Sequence, residues 1–324
     1  MSDSSEVFPG IHRIELPLPF ELASVNVHLV RLSRGYLLID TGMNTNESFA
    51  ALEGGLAHAG IDWSEIRQIL LTHMHPDHMG LSVRVQELTG APLWMHRVEA
   101  QHLAMVTTPE RRSQWIGRAF DESGVPEPLK AEMDQHFQVI RRNFHKLVPA
   151  ALLDGGEEIE TAIGPLTVHW TPGHSPGHAS LYSARHRLLI SGDQILPKIT
   201  PNISWLPGHD TLEDFLVSLD HLKALEIDHI LPSHGERFSG HRPWIEKTTL
   251  HHHERCHEIR ALLTQPQTAH RLVGVLWPKK LSPINHQFAL LEVMAHLEYM
   301  RLRGQIRQEM SGGVIHWFVD APLQ

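Results

Sequence analysis

The stretch IRQILLTHMHPDHMG, residues 66–80, decides how this sequence is interpreted. Its first half, Ile66–Leu71, is an apolar run typical of a buried strand. The second half delivers four side chains that can bind metal: His73, His75, Asp77 and His78. One ion of tetrahedral preference cannot take all four, so the spacing predicts two ions, one for the His-x-His pair and one for the Asp-His pair. Imidazole and carboxylate ligands together suit zinc, manganese or iron.

Three later segments repeat this arrangement of an apolar strand followed by a ligand. They are TPGHSPGH at residues 171–178, SGD at residues 191–193 and LPSHG at residues 231–235. Proline and glycine around each histidine of the first segment predict a tight, non-helical loop. Ligands held at the ends of strands are rigidly presented. We therefore expect His174, Asp193 and His234 to join the first four residues at one site.

Strand and helix signals alternate through the first 240 residues, which predicts an α/β layered fold. The predicted strands are Ile11–Leu16, Val25–Leu32, Tyr36–Ile39, Ile66–Leu71, Pro92–Met95, Leu166–Trp170, His186–Ser191 and Asp228–Leu231. The predicted helices between them are Asn46–Ala59, Ser82–Leu88 and Leu212–Leu225.

Residues 97–148 interrupt that alternation with a segment of helical character. Its apolar positions recur three or four residues apart, at Met133, Phe137, Ile140, Phe144 and Leu147. We expect a helical insertion with one apolar face. Two interpretations stay open and are compatible: helices that pack on their own domain, and a lid over the site.

After Gly240 the sequence predicts helices followed by a hairpin. The helices are Pro243–Thr264, Ala269–Leu276 and Gln287–Leu302, and the hairpin, Gly304–Val319, turns at Ser311-Gly312-Gly313. This is the outline of a winged-helix-like module. We expect two domains, residues 1–240 and residues 241–324.

The composition limits the cellular compartments and the binding partners that we expect for this protein. The single cysteine, Cys256, excludes an internal disulfide framework and fits a reducing compartment. The first residues, MSDSSEVFPG, lack the features of a signal peptide, and no apolar run is long enough to span a membrane. We expect a cytoplasmic protein with no membrane partner. The 27 histidines suggest metal chemistry without locating it.

The charge argues against a nucleic-acid binder. The formal net charge is −9. Residues 241–324 carry ten Lys/Arg against seven Asp/Glu, about +3, which leaves −12 on the first 240 residues. Nucleic-acid affinity rests on neutralising phosphates, and this balance opposes it.

The four ligand segments, in this order, resemble the metallo-β-lactamase superfamily, over roughly Val7 to Gly240. The resemblance implies an αββα sandwich that binds two divalent metal ions. It places His73, His75 and His174 on one ion, Asp77, His78 and His234 on the other, and Asp193 between them. Asp40, in the LLIDTG segment at residues 37–42, matches a position that braces the ligand loop without binding metal itself.

Within that superfamily the sequence is most similar to glyoxalase II-like (hydroxyacylglutathione hydrolase-like) enzymes. Val25–Leu29 and Thr171–His178 carry this likeness, which implies His178 as a second histidine lining the site, with a catalytic role. It also implies that a hydroxide shared by two metals, zinc first among the candidates, attacks an activated acyl bond. Asp77 would relay a proton. The bond is a thioester first, with lactone and ester as alternatives.

The loop after Asp193 is where we expect contacts with the substrate. The loop after Asp193, Ile195–Gly208, lies beside the predicted metals, so we expect Lys198, Asn202 and Trp205 to contact a small acyl substrate. C-terminal modules of this kind resemble packing or dimerisation elements, which leaves a homodimer open. The rival functions are a metal-dependent phosphodiesterase or ribonuclease, and a non-catalytic effector that binds a metabolite.

Overall fold

Two β-sheets form the centre of the fold in the computed structural model, which describes residues 4–141 and 144–319. The first sheet contains, in spatial order, β1 (Ser4–Phe8), β2 (Ile11–Pro17), β3 (Ser24–Arg31), β4 (Tyr36–Ile39), β5 (Ile66–Leu70), β6 (Leu93–His96) and β7 (Ala151–Leu153). Its strands β1 to β4 pair antiparallel, and β4 to β7 pair parallel.

The second sheet has five strands in the order β12-β11-β10-β9-β8. They are β8 (Glu158–Ile159), β9 (Leu166–Trp170), β10 (Ala179–Ser183), β11 (Leu188–Gly192) and β12 (His229–Pro232). Strands β11 and β12 are parallel, and the other pairs are antiparallel. Side chains from both sheets, such as Leu37 and Leu70 on one and Val168 and Ile190 on the other, form one buried apolar cluster. The sheets therefore pack face to face.

Helices cover the outer faces. The first sheet carries α1 (Asn46–Ala59), α2 (Pro76–Met79) and α3 (Ser82–Thr89), and the second carries α7 (Thr211–Lys223). Local signals set α1: Thr45 Oγ1 accepts a hydrogen bond from Ser48 N, and Gly60 ends the helix at φ +68°, in the left-handed region. The predicted αββα sandwich is confirmed.

The insertion and the C-terminal module are helical, as predicted. The insertion forms α4 (Arg97–Val106), α5 (Pro109–Glu122) and α6 (Glu127–Arg141), and the module forms α8 (His241–Leu262), α9 (Ala269–Leu276), α10 (Pro283–Leu302) and a hairpin of β13 (Arg307–Ser311) and β14 (Val314–Phe318). The winged-helix likeness, the division into two domains and the lid stay predictions.

One apolar cluster joins the insertion to the C-terminal helices. Phe120 and Met133 of the insertion pack with Phe215 of α7 and with Leu290 and Met300 of α10. The other predicted apolar positions of the insertion divide in two. Phe144 and Leu147 pack against the cluster on the first sheet, whereas the side chains of Phe137 and Ile140 lie outside the described residues.

Not every strand was predicted: β1, β7, β8 and β10 were missed, of which β10 lies in the middle of the second sheet. No helix within the described residues combines the length and apolar character that a membrane crossing requires.

Candidate metal centre

Seven side chains from four loops meet at one edge of the sandwich, and we call them the donor cluster. Each loop follows a strand end: the first follows β5, and the others follow β9, β11 and β12. The members are the residues that the sequence predicted, His73, His75, Asp77, His78, His174, Asp193 and His234. Their ligand atoms fall into three groups whose members lie within 4.8 Å of one another. The fold thus brings together side chains as much as 161 positions apart in the chain.

Three imidazoles form the first group, which we call the histidine trio. His75 Nδ1 lies 2.9 Å from His73 Nε2 and 3.0 Å from His174 Nε2. Three ring nitrogens therefore converge on one point from two different loops. This is the number and type of protein ligands that a catalytic zinc site uses.

The second group, the mixed trio, contains Asp77, His78 and His234. Asp77 Oδ2 lies 3.7 Å from His78 Nε2 and 3.5 Å from His234 Nε2. These separations exceed a hydrogen bond and match ligands that share an ion rather than a proton.

Asp193 stands between the two trios. Its Oδ2 lies 3.5 Å from His174 Nε2 of the histidine trio. The same oxygen lies 3.5 Å from His78 Nε2 and 3.4 Å from His234 Nε2 of the mixed trio. This carboxylate is therefore placed to contact ions on both sides.

Asp40 holds the first ligand loop in place through contacts with Thr72 and His78. Its carboxylate accepts hydrogen bonds from Thr72 N and Thr72 Oγ1, each at 2.8 Å, and lies 2.8 Å from His78 Nδ1. A proton on His78 Nδ1 leaves the Nε2 lone pair directed into the cluster. Asp40 adopts φ +61°, rare for a non-glycine residue, and such backbone strain is concentrated at functional sites.

Backbone carbonyls hold the two later histidines in the same way. His174 Nδ1 lies 2.9 Å from Asn202 O, and His234 Nδ1 lies 2.7 Å from Ser24 O. A carbonyl oxygen only accepts hydrogen bonds, so both Nδ1 atoms carry protons and both rings turn Nε2 towards Asp193. Together with His78, three rings thus present Nε2 to the donor cluster.

The pKa shifts within the donor cluster depend on how close each histidine lies to a carboxylate. Burial, together with the neighbouring His174, lowers the pKa of His75 to about 3. Burial also disfavours the charged form of His78, but Asp193, Asp77 and Asp40 outweigh it and raise its pKa well above the usual value. Burial acts against the carboxylate of Asp193, yet His234 and His78 hold its pKa well below the usual range.

The donor set fits two divalent cations. His78 Nε2 and Asp193 Oδ1 are buried with no hydrogen-bond partner among the described residues. Such orphaned atoms are costly unless an unrecorded water or ion satisfies them. Imidazole and carboxylate donors are those that zinc, manganese and iron accept.

The ring of His178, for which a catalytic role was predicted, is hydrogen-bonded within the protein. The residue is fully buried, its Nε2 accepts a hydrogen bond from Asp193 N at 3.1 Å, and its Nδ1 lies 2.8 Å from Thr171 Oγ1. Gly192 allows the close approach, since a Cβ there would collide with His178 Nε2. His178 therefore supports the backbone of Asp193, and its catalytic role stays a prediction.

The three predicted substrate contacts have different surroundings. Lys198 is exposed. Asn202 supplies the carbonyl that holds His174, and its Nδ2 lies 3.4 Å from Phe288 O and 3.3 Å from Glu292 Oε2 of α10. Trp205 packs against the apolar cluster shared with the C-terminal helices, and its N donates to Leu291 O. Their contact with a substrate stays a prediction.

Two buried side chains near the donor cluster escaped the sequence analysis. Asn26 donates from Nδ2 to Pro232 O and Gly235 O, the residues that flank the loop of His234. Glu99 contacts both loops of the histidine trio. Asn26 lies in a segment noted for its family likeness, whereas Glu99 has no local signal.

Comparisons with known proteins agree with this geometry. A family model described as the metallo-beta-lactamase superfamily matches residues 21–234, and one described as a metallo-beta-lactamase-like C-terminal domain matches residues 256–321. The chain is similar to a metallo-beta-lactamase family protein from Thermus thermophilus, TTHA1429, with a TM-score of 0.86 and 32% identity, covering 96% of this chain and 99% of that one.

Two curated proteins are also similar. The probable metallo-hydrolase YqjP of Bacillus subtilis is 27% identical over 94% of this chain and 96% of its own length. The human acyl-coenzyme A thioesterase MBLAC2 is 28% identical over 52% of this chain and 58% of its own length.

Proposed function

The chain belongs to the metallo-beta-lactamase superfamily, and from this premise we propose that it is a dinuclear metal-dependent hydrolase of activated acyl bonds, with a thioester as the preferred substrate. The convergence of the seven donors around Asp193 carries the proposal. In this assignment the histidine trio holds one ion, the mixed trio holds the other, and Asp193 contacts both. When bound, such a pair of ions supplies a water-derived nucleophile near neutral pH and a Lewis acid for the acyl oxygen.

The protein's own residues hold the imidazoles in the required protonation state. Asp40, Asn202 and Ser24 occupy Nδ1 of His78, His174 and His234, so Nε2 is the nitrogen that each ring presents to an ion, which takes the place of any proton there. Such outer partners orient the ligands, and losing one typically costs 10–100-fold in metal affinity or activity.

Asp77 is assigned the proton transfer. Its side chain is 21% exposed, against 9% for that of Asp193, so Asp77 is the more accessible of the two carboxylates. It can accept a proton at its carboxylate while the nucleophile adds to the acyl carbon and release it to the departing group. The net reaction consumes one water and yields a carboxylic acid and a thiol.

The side chains available to protonate the leaving group indicate which type of leaving group is favoured. His178, the second histidine for which the sequence suggested a catalytic role, is buried and has both ring nitrogens hydrogen-bonded. A leaving group that needs little protonation is therefore favoured, and a thiolate, whose conjugate acid has a pKa of about 8.5, meets this condition better than an alkoxide or amide. The similarity to a protein named as an acyl-coenzyme A thioesterase supports the same choice.

Metal analysis followed by a substrate panel tests the proposal. The panel contains a thioester, a lactone, an ester and a phosphodiester, assayed with the zinc-loaded protein. We expect two ions per chain and thioester hydrolysis that falls by more than about 100-fold in His75→Ala, because removing a ligand exceeds the loss of an outer partner. His257→Ala, at an exposed histidine of α8, is the matched control.

The panel also tests the rival functions. Salt-sensitive phosphodiester or RNA cleavage, with no thioester turnover, would assign the chain to the phosphodiesterases. Binding of two ions without turnover of any acyl substrate would instead favour a non-catalytic effector.

A further inference from the structure

Glu99 is a fully buried carboxylate in the first turn of α4, directly after β6. Neither the motifs of the donor cluster nor the proposed chemistry uses it. Burying a carboxylate is costly unless hydrogen bonds or a cation compensate for lost hydration. The hydrogen bonds of Glu99 must therefore compensate for its burial, and they indicate what this carboxylate does.

The carboxylate binds both loops that carry the histidine trio. Oε1 accepts hydrogen bonds from Met74 N at 2.7 Å and from Ser175 Oγ at 2.5 Å. Oε2 accepts from Gly177 N at 2.7 Å. Met74 lies between His73 and His75, and Ser175 follows His174, so one side chain spans all three members of the trio.

The surroundings leave little freedom for this contact. A Cβ at Gly177 would collide with the backbone of Glu99, so the second loop lies directly against the start of α4. Among the residues whose side chains the structure describes, 5–108, 116–135 and 144–319, no lysine, arginine or histidine forms an ion pair with Glu99. Three donors from the loops are thus its compensation, and α4 adds the positive end of its helix dipole.

We propose that Glu99 is a positioning residue that sets the separation between the His73/His75 loop and the His174 loop, and so sets the affinity of the ion held by the histidine trio. The inference rests on the proposed dinuclear centre. Asp40 acts on His78 of the mixed trio, and Glu99 acts on the opposite side of the cluster. Asp40 reaches the histidine trio only through Thr72, whose Oγ1 lies 3.0 Å from His73 Nδ1, whereas Glu99 bonds directly to both loops of that trio.

Glu99→Gln tests the proposal with almost no change of shape. An amide has one acceptor oxygen and one NH₂ group, so at least one of the three loop donors must face another donor. We expect one of two Co²⁺ equivalents to bind about 10–100-fold more weakly, with altered visible absorption bands, while the other ion binds as in wild type. Chelator competition and Co²⁺ absorption spectra measure this without reference to activity. Glu87→Gln, at an exposed glutamate of α3, is the matched control.

Ser175→Ala removes a single donor and keeps the carboxylate, so it covers the case in which Glu99→Gln does not fold. We expect the same ion to be weakened by a smaller factor, about 3–10-fold, which corresponds to the net value of one ordinary hydrogen bond. Equal weakening of both ions, or unchanged affinity in both variants, overturns the role of Glu99. A wild-type protein that binds no divalent ion overturns the proposed function itself, and this inference with it.

Discussion

Two groups of buried histidines in this molecule differ in the charge of their neighbours. In the donor cluster, carboxylate oxygens of Asp40, Asp77 and Asp193 lie 2.8–3.7 Å from the ring of His78. The second group, the histidine pair, consists of His252 on α8 and His296 on α10, with His252 Nδ1 3.2 Å from His296 Nε2. The far nitrogen of His296, Nδ1, lies 2.8 Å from a backbone carbonyl, that of Glu292.

The same side chain therefore serves opposite purposes in the two places. Burial, with smaller contributions from His296, His251, His253 and Arg255, lowers the pKa of His252 to about 2. The pair is a neutral hydrogen-bonded chain, and among the described residues neither histidine belongs to a group of side chains that could hold a metal. In the donor cluster the carboxylates make the site suitable for cations. A histidine-rich composition thus says little by itself, and the aspartates mark the metal site.

Metal removal is the largest test of this difference. An ion that binds only the folded chain, at about 1,000 times its Kd, adds about 4 kcal/mol to the free energy of unfolding. We expect urea unfolding with Zn²⁺ and with EDTA to differ by this order. His252→Gln should show the same difference, because the histidine pair binds no ion. The comparison fails if chelation leaves wild-type stability unchanged, or if the difference disappears in His252→Gln.

Asp40→Asn should weaken metal binding by about 10–100-fold, because it removes the anion that holds His78. Asparagine tolerates positive φ well, so the strained backbone at this position is preserved and the change isolates the charge. Chelator competition for Zn²⁺ gives the affinity. Asp220→Asn, at an exposed position of α7, should match wild type. An Asp40→Asn protein with wild-type affinity would show that the carboxylates do not distinguish the two groups.

The sequence predicted the members of the donor cluster better than it predicted the buried residues that hold the ligand loops in place. Ligands follow strand ends in short motifs, so local pattern is sufficient to identify His73 or Asp193. The supports depend on packing between distant segments: Glu99 contacts loops 25 and 78 positions away, and Asn26 contacts a loop more than 200 positions away. The hydrogen bonds of His178 could not be predicted either, because motif spacing does not say which way a ring points.

The fold shows the same division between local and distant signals. Helix α1 was predicted with both ends correct because Thr45 and Gly60 are local caps. Strand β10 was missed because its sequence, ASLYS, is short and does not alternate, yet both neighbouring strands pair with it. The edge strands β1, β7 and β8 contain two to five residues and pair on one side only, so they carry weak signals.

The histidine pair should make the metal-free protein sensitive to mild acid. The unfolded chain protonates these histidines near pH 6.5, whereas the folded pKa is about 2 for His252 and about 4 for His296. As the pH falls below 6.5, protons bind the unfolded state first, so stability is lost from pH 6.5 downward towards the folded pKa values. One such histidine costs about 1 kcal/mol between pH 6.5 and 5.5.

Urea unfolding in EDTA across this window measures the effect. Wild type should lose about 1 kcal/mol more than His252→Gln, which cannot titrate at that position. The exposed His257→Gln on the same helix should retain the wild-type slope. Parallel curves for wild type and His252→Gln would mean that the buried ring is already protonated in the folded protein.

The smallest expected effect is that of a substitution at Asn202, which contacts both His174 of the donor cluster and the helix that carries His296. Helix α10 carries His296 and also holds the side chain of Asn202 through Glu292 and Phe288 O, while the carbonyl of Asn202 holds His174. Asn202→Ala keeps that carbonyl and removes the two long Nδ2 contacts of 3.3–3.4 Å, together with the hydrogen bond that Asn202 Oδ1 accepts from Ser204 Oγ at 2.8 Å. We expect Zn²⁺ affinity, measured by chelator competition, to fall by about 2–5-fold, the equivalent of one modest hydrogen bond. Asn285→Ala, the same change in the first turn of α10, should have no effect. A loss as large as that in Asp40→Asn would mean that α10, rather than the carboxylates, determines the geometry of the donor cluster.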